Sequence, residues 1–453
     1  MTASISPSAF LCYPATVPLG GETQVPGDKS ISHRAMMFGC LASGVTTVTG
    51  LLEAADVHAT EVAMKALGGQ VARGDELITI TGAGSVGLHS AAQPLDMGNS
   101  GTAMRLLAGL LAGQGIEGTL IGDESLSGRP MGRIIRPLRK MGVAIEAAEG
   151  DCAPLTIASG ASLAGLTYEM PVASAQLKSC LLLAGLGCNG EVRIREPAPS
   201  RDHTETLLRA YGVEVQQMAD ESGQWLVMKG NQRLRGPVHI DVPGDFSSAA
   251  FFLVAASIVP DSDIILRNVG MNPVRTGLLS LLLSMGANIT QINPRQSGGE
   301  QVADLRVRYA PLTGVDVDPA LVPLMIDEFP ILFVAAALSQ GRTRVRGAEE
   351  LRVKESDRIG VMAAGLSAMG VKIAERPDGL DIEGCDQLQA AQVHGRHDHR
   401  CAMSFSVAAL RANGPVGVNS VENVATSFPA FRETLDALGG HIELVDKIPA
   451  HLS

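Results

Sequence analysis

At 453 residues, with 45% hydrophobic but only 3% aromatic side chains, the chain can fill the cores of two domains or more, built from Ala, Leu, Val and Ile. A net charge of −11 without a basic run argues against nucleic acid, and no apolar stretch approaches the roughly 18 residues of a membrane-spanning helix. Seven scattered cysteines, never spaced Cys-x-x-Cys, and a first basic residue at Lys29 point to a reduced cytoplasmic protein without a secretory or transit leader.

In chain order the elements repeat six times. "PGDKSISHR" at Pro26–Arg34 opens a helix that Asp28 or Ser30 can cap. "VTTVTG" then predicts a strand, "MKALGG" a helix stopped at Gly68, and "QVAR" and "LITIT" two closing strands. The second repeat carries "GNSGTAMR" and "SGRPMGR" and stops at Gly142. The third carries the helix "SAQLKSCLLLAGL", the strand "EVRIRE", then "SRDHTE" and a stop at Gly212. A near copy of the opening frame, "PGDFSSAA" at Pro243–Ala250, begins the fourth repeat; its "FFLVAASIV" reads as a buried core helix and it stops at Gly286. The fifth holds "DEFPILFVAAALSQG", again a core helix, the strand "TRVRG", "RVKESDR" and Gly370, and the sixth holds "HGRHDHR" and Gly439. Stops 74, 70, 74, 84 and 69 residues apart mark an internal repeat, although a doubly wound sheet with coincidental spacing would share the pattern. The two Pro-Gly-Asp frames open the first and fourth repeats, so the expectation is two similar halves with chain crossings near residues 26 and 244.

Charged and small polar residues gather where helices begin. First helices carry Lys29, Ser30 and Arg34; Asn99, Gly101 and Thr102; Ser174 and Gln176; Asp327 and Glu328; His399 and Arg400. Second helices carry Arg129, Arg201, and Lys354, Glu355 and Arg358. Unpaired N–H groups and the positive dipole end make such sites receptive to phosphates and carboxylates, so equivalent ends of stacked repeats predict a polyanionic ligand. Each motif alone reads as a cap, a turn or a solvated face. Lys354 and Arg358, however, are like charges four apart, a pairing that calls for an anion or acid between them. "HGRHDHR" has no matching Cys or acidic ligand set elsewhere, so no metal is expected.

The succession "PGDKSISHRA", "GNSGTAMR", "SGRPMGR", "SAQLKS", "SRDHTE", "VPGDFSSAAFFL", "MNPVRTG", "IDEFP", "RVKESDR" and "DHR" resembles the 5-enolpyruvylshikimate-3-phosphate synthases over residues 20 to 432. The resemblance implies an α/β enolpyruvyl-transferase fold, with two similar domains of three βαβαββ repeats, helices inside sheets. Residues 27–243 would form the N-terminal domain, residues 1–26 and 244–453 the C-terminal one, with the active site in the interdomain cleft. It implies transfer of the enolpyruvyl group of phosphoenolpyruvate to the 5-hydroxyl of shikimate 3-phosphate, through a tetrahedral intermediate and with release of phosphate, by a monomer needing no cofactor or metal. Carried over motif by motif, Lys29 is the cation shared by both substrates, and Ser30 and Arg34 hold the shikimate carboxylate. Ser174 and Arg201 serve the shikimate phosphate, with Ala175 also binding shikimate 3-phosphate, Gln176 against the ring and Lys354 on the ring hydroxyls. Asp327 takes the 5-hydroxyl proton and Glu355 gives a proton to the methylene carbon. Gly101, Arg129, Gln176, Arg358 and Arg400 surround phosphoenolpyruvate. Acid and base are expected on separate repeats, brought together by closure.

Where many members of that family have Ser-Ser-Gln, Asn-Trp before "RVK" and a Lys before the Ser-Phe-Pro motif, this chain has Ser174-Ala175-Gln176, Glu350-Leu351 and Thr426. These departures resemble a divergent bacterial subgroup tolerant of the herbicide glyphosate, whose members often carry Ala where this chain has Gly101; the expectation is greater sensitivity here. A sister enzyme acting on UDP-N-acetylglucosamine is the nearest rival, but "GDESLSGRPMG" lacks the loop Cys that enzyme commonly uses. A non-catalytic anion-binding protein would have shed Lys29, Asp327, Glu355 or Arg400, and all four are present.

Overall fold

The glycines that end every second helix set the frame of the fold. In the computed structural model, which describes residues 9–84, 87–160, 162–221 and 223–449, Gly68, Gly142, Gly212, Gly286, Gly370 and Gly439 all have φ between 80° and 107°. Each donates its amide to the carbonyl three residues back, as Gly142 does to Arg139 at 3.0 Å; the next amide reaches five back, as Val143 does to Leu138 at 3.0 Å. This double closure needs a left-handed residue, a conformation that costs glycine nothing and other residues strain.

The helices are α1 (Lys29–Leu41), α2 (Ala55–Ala66), α3 (Gly101–Gln114), a short α4 (Glu124–Ser127), α5 (Gly132–Lys140), α6 (Ala175–Gly185), α7 (His203–Ala210), α8 (Phe246–Ile258), α9 (Gly277–Ser284), α10 (Phe329–Ala337), α11 (Arg358–Ala368), α12 (His399–Ala409) and α13 (Phe431–Ala437). The first helix of each repeat is the buried one. Every residue of α8 and α10 is buried, so both apolar runs are core helices. In the second and third repeats the sheet is built the same way. Leu95–Asp96 runs parallel to Gly118–Ile121, which pairs antiparallel with Cys152–Ile157, itself beside Ile145–Ala148. Ala164–Glu169, Asn189–Arg195, Gly223–Lys229 and Val215–Asp220 repeat that order.

Other sheets borrow a strand from far along the chain. Val238–Asp241 lies parallel to Val45–Thr49, and Gly20–Gln24 lies parallel to Asp263–Gly270. Ala9–Cys12 inserts between Val416–Asn419 and Ile442–Val445, antiparallel to both. By contact, the chain divides into two compact units. One spans residues 27–242 with 297–299; the other spans residues 243–296 and 300 onward, together with the segment ending at Pro26. Residues 1–8 and 450–453, at the ends of the anticipated domains, lie outside the described residues. Each unit has its own aliphatic core, and none of the described helices is long and apolar enough to cross a membrane.

Close backbone approach sets the helix ends in register. A Cβ at Gly109 would lie 2.2 Å from the Cys180 carbonyl oxygen, and one at Gly113 would lie 2.2 Å from that of Leu183. Only glycine lets α3 and α6 pack this tightly, and the contact carries their N-terminal turns side by side.

Candidate active site

In the unit spanning residues 27–242, caps and site residues come from the same turns. Asp28 caps α1 by accepting from the Ile31 amide at 2.9 Å, which orients the next residue, Lys29. The Lys29 ammonium donates to Asp56 of α2 at 2.9 Å. Arg34, one turn on and buried, donates from Nη1 to the Ser30 carbonyl at 2.8 Å, from Nε to Thr204 at 2.6 Å and from Nη2 to Ser179 at 2.8 Å. It therefore ties α1 to α6 and α7. Between them His33 is fully buried, with Nδ1 2.7 Å from Thr60 Oγ1; burial, then the charges of Lys29 and Arg34, hold its pKa well below the usual histidine range.

On α3 and α6 the pairing is equally specific. Ser100 and Ser174 cap the two helices. The Gln176 amide accepts from Arg105 Nη1 at 2.8 Å and donates to Thr102 at 2.8 Å, so its orientation is fixed from both ends. Gly101 lies beside that guanidinium: a Cβ there would stand 2.8 Å from Arg105 Nη1 and 3.5 Å from Arg129 Nη1. Arg129 donates to the Asn99 carbonyl at 3.3 Å and, from Nη2, to its side-chain oxygen at 2.6 Å. The Ala175 carbonyl accepts from Ser179. Arg201 is half-buried and follows Ser200, whose carbonyl accepts from Lys178 of α6.

The other unit centres on one guanidinium. Arg358 is 0% exposed and donates from Nε to Asp398 at 2.8 Å, from Nη2 to Glu355 at 2.6 Å and from Nη1 to Asp327 at 3.3 Å. Burial alone would lower its pKa, but the carboxylates of Asp398, Glu355 and Asp327 outweigh that and hold it well above the ordinary value. Asp327 also lies 4.0 Å from Lys354, so it is the acid that the like charges of Lys354 and Arg358 required. Asp398 caps α12 through the Arg400 amide at 3.0 Å and thereby fixes where Arg400 starts. The expectation that acid and base lie on separate repeats is corrected here. Asp327 and Glu355 both belong to the fifth repeat and meet on Arg358, because α10 and α11 pack with their N-terminal ends adjacent. Glu328 is not a side-chain cap of α10; it is buried and accepts from the Ser247 hydroxyl. Thr426 turns its hydroxyl onto the Asn423 carbonyl and supplies no cation.

The second Pro-Gly-Asp copy shares the cap but not the cation. Asp245 accepts from the Ser247 amide at 2.7 Å and pairs with Arg275 at 2.6 Å, while Phe246 and Ala250 are each 0% exposed. Sequence reading missed Asp56, Arg105, Lys178 and Asp398 as partners. Three of them stand inside quoted motifs: Arg105 and Lys178 are charges on the largely buried helices α3 and α6, and Asp398 is the N-cap of α12.

A family model described as EPSP synthase (3-phosphoshikimate 1-carboxyvinyltransferase) matches residues 14–435. Among curated relatives, the 3-phosphoshikimate 1-carboxyvinyltransferase of Alkalilimnicola ehrlichii is 55% identical over 92% of each chain, and that of Halorhodospira halophila is 52% identical over 94% of this chain and 95% of its own. The solved EPSP synthase from Acinetobacter baumannii superposes with a TM-score of 0.84 at 46% identity, covering 97% of this chain and all of that one. The enolpyruvyl transferase NikO from Streptomyces tendae, at 17% identity and a TM-score of 0.77 over 97% of this chain and 99% of its own, shares the fold.

Proposed function

The chain belongs to the EPSP synthase family, and from that premise we propose how its residues carry out the family reaction. It transfers the enolpyruvyl group of phosphoenolpyruvate to the 5-hydroxyl of shikimate 3-phosphate and releases phosphate. Lys29 neutralises charge on both substrates, Ser30 and Arg34 take the shikimate carboxylate, Ser174 and Arg201 take its phosphate, and Ala175 lies against the same substrate. Gln176 packs on the ring and Lys354 holds the ring hydroxyls. Gly101, Arg129, Arg358 and Arg400 receive phosphoenolpyruvate. Lys29 and Arg34 belong to one compact unit, and Asp327 and Glu355 to the other.

The observation that carries this reading is the buried Arg358 shared by Asp327 and Glu355. An incoming anion competes for the same guanidinium. Glu355 then loses its cation and gains a negative neighbour, which raises its affinity for a proton. In the addition step Asp327 removes the 5-hydroxyl proton, O5 bonds to C2 of phosphoenolpyruvate, and Glu355 protonates C3 to a methyl group. Elimination returns a methyl proton to a base while the C2–O bond to phosphate breaks and the C2–C3 double bond reforms. Phosphate release from phosphoenolpyruvate, with shikimate 3-phosphate or UDP-N-acetylglucosamine as acceptor, tests the assignment: release is expected only with the first. Glu355→Gln lowers kcat by about 10²–10⁴ and leaves shikimate 3-phosphate binding intact; collapse of that binding would refute the acid role. The same reading makes the protein a cytoplasmic monomer with small anionic substrates and neither nucleic-acid nor membrane partners, in keeping with its net charge of −11.

A further inference from the structure

We infer that Lys178 is a positioning residue for the shikimate phosphate, acting through the turn that presents Arg201. This inference rests on the assignment of Ser174 and Arg201 to that phosphate. Residues 196–201 lie in neither helix nor strand, so side chains must hold this turn. The Lys178 side chain is 3% exposed, and its ammonium meets three oxygens: Glu196 Oε2 at 2.8 Å, Glu205 Oε1 at 2.9 Å and the Ser200 carbonyl at 3.3 Å. The contacts to Glu196 and the Ser200 carbonyl, at the start and end of the turn, are hydrogen bonds, and that to Glu205 in the first turn of α7 is an ion pair. Glu196 also accepts from the Ser200 hydroxyl, so Ser200 is gripped at both ends immediately before Arg201.

The grip originates beside the other phosphate ligand. Lys178 lies one turn along α6 from its N-cap, Ser174. Its neighbour Ser179 and the neighbour of Glu205, Thr204, share a hydrogen bond at 2.7 Å and both accept from Arg34. The adjacent pairs 178–179 and 204–205 thus fix α6, α7 and the intervening turn as one body. A buried ammonium flanked by two carboxylates is a costly way to fill space, and an apolar residue of similar size would stabilise α6 at least as well. The three contacts do what an apolar residue could not: they set the backbone on the N-terminal side of Arg201 relative to Ser174.

The test uses the intact enzyme and two ligands differing only in the phosphate, shikimate 3-phosphate and shikimate, with binding followed by calorimetry. Glu196→Gln, the mildest change, and Lys178→Met should each weaken shikimate 3-phosphate binding by about tenfold or more, while shikimate binding and the KM for phosphoenolpyruvate stay within about twofold. In the Arg201→Ala background, Glu196→Gln should add nothing further. Equal losses for both ligands, or losses that add to Arg201→Ala, would make Lys178 a stability residue and overturn the inference. If Arg201→Ala itself fails to separate the two ligands, the phosphate assignment is wrong and the inference falls with it. Should Lys178→Met not fold, Glu196→Gln decides alone.

Discussion

A methyl group at Gly101 would meet side chains and not backbone. Its helical backbone would accept alanine, but the added Cβ meets Arg105 Nη1 at 2.8 Å, and that guanidinium also orients Gln176. A flexible side chain can retreat, so Gly101→Ala should leave the melting temperature within a degree or two of the parent. Retreat loosens Gln176, and the methyl crowds whatever lies over Gly101. Gly101→Ala should therefore raise both the KM for phosphoenolpyruvate and the inhibition constant for glyphosate, the latter by about tenfold or more. Steady-state inhibition kinetics check this, and an unchanged inhibition constant refutes it. Arg105 stood inside a quoted motif without a role, because its partner Gln176 is 71 positions away and only folding makes them neighbours.

Among the elements, the two Pro-Gly-Asp turns form a matched pair with opposite requirements. Both cap a buried helix through Asp, yet Lys29 faces Asp56 whereas Phe246 is sealed in the core. Lys29→Met should fold normally and lose about a hundredfold or more in kcat/KM. Phe246→Lys buries an unpaired ammonium and should cost about 4 kcal/mol or more of stability; chemical denaturation with an activity assay separates the two outcomes. The helix stops were legible in the sequence because a left-handed closure demands glycine at one fixed place, and all six candidates have the predicted sign of φ. The pairings of Lys29 with Asp56, Asp245 with Arg275 and Arg358 with Asp398 were not. Charged residues that fold inward look in sequence like charged residues that face water.

At the scale of the whole molecule, the sheet containing Asp263–Gly270 carries a titratable lock. Asp304 accepts from the Asn268 amide at 2.8 Å, from Arg267 at 2.8 Å and from Asn293 at 3.1 Å. Burial would raise its pKa, but these donors and the charge of Arg295 bring it down to about 2 from an ordinary 3.8. A depressed carboxylate stabilises the fold above its ordinary pKa and ceases to do so as pH falls through the lowered one. Asp304→Asn should thus cost about 1.5–3 kcal/mol at pH 7, and the difference should vanish between pH 4 and pH 2 in urea melts compared across that range. The repeat count was readable because the glycine stops rest on local chemistry. The strands Ala9–Cys12 and Gly20–Gln24 gave no such signal, being short and completed only by partners hundreds of residues away.

Those two strands impose an order on synthesis. Ala9–Cys12 is an interior strand of its sheet, and its neighbours Val416–Asn419 and Ile442–Val445 come near the other end of the chain. A ribosome therefore releases residues 9–25 long before anything exists for them to pair with, while residues 27–242 can close their own core behind them. The leading segment therefore has no strand partner through most of translation. A fragment of residues 243–453 should accordingly remain molten until a peptide of residues 9–26 is added in trans, whereas residues 27–242 should resist protease as soon as they emerge.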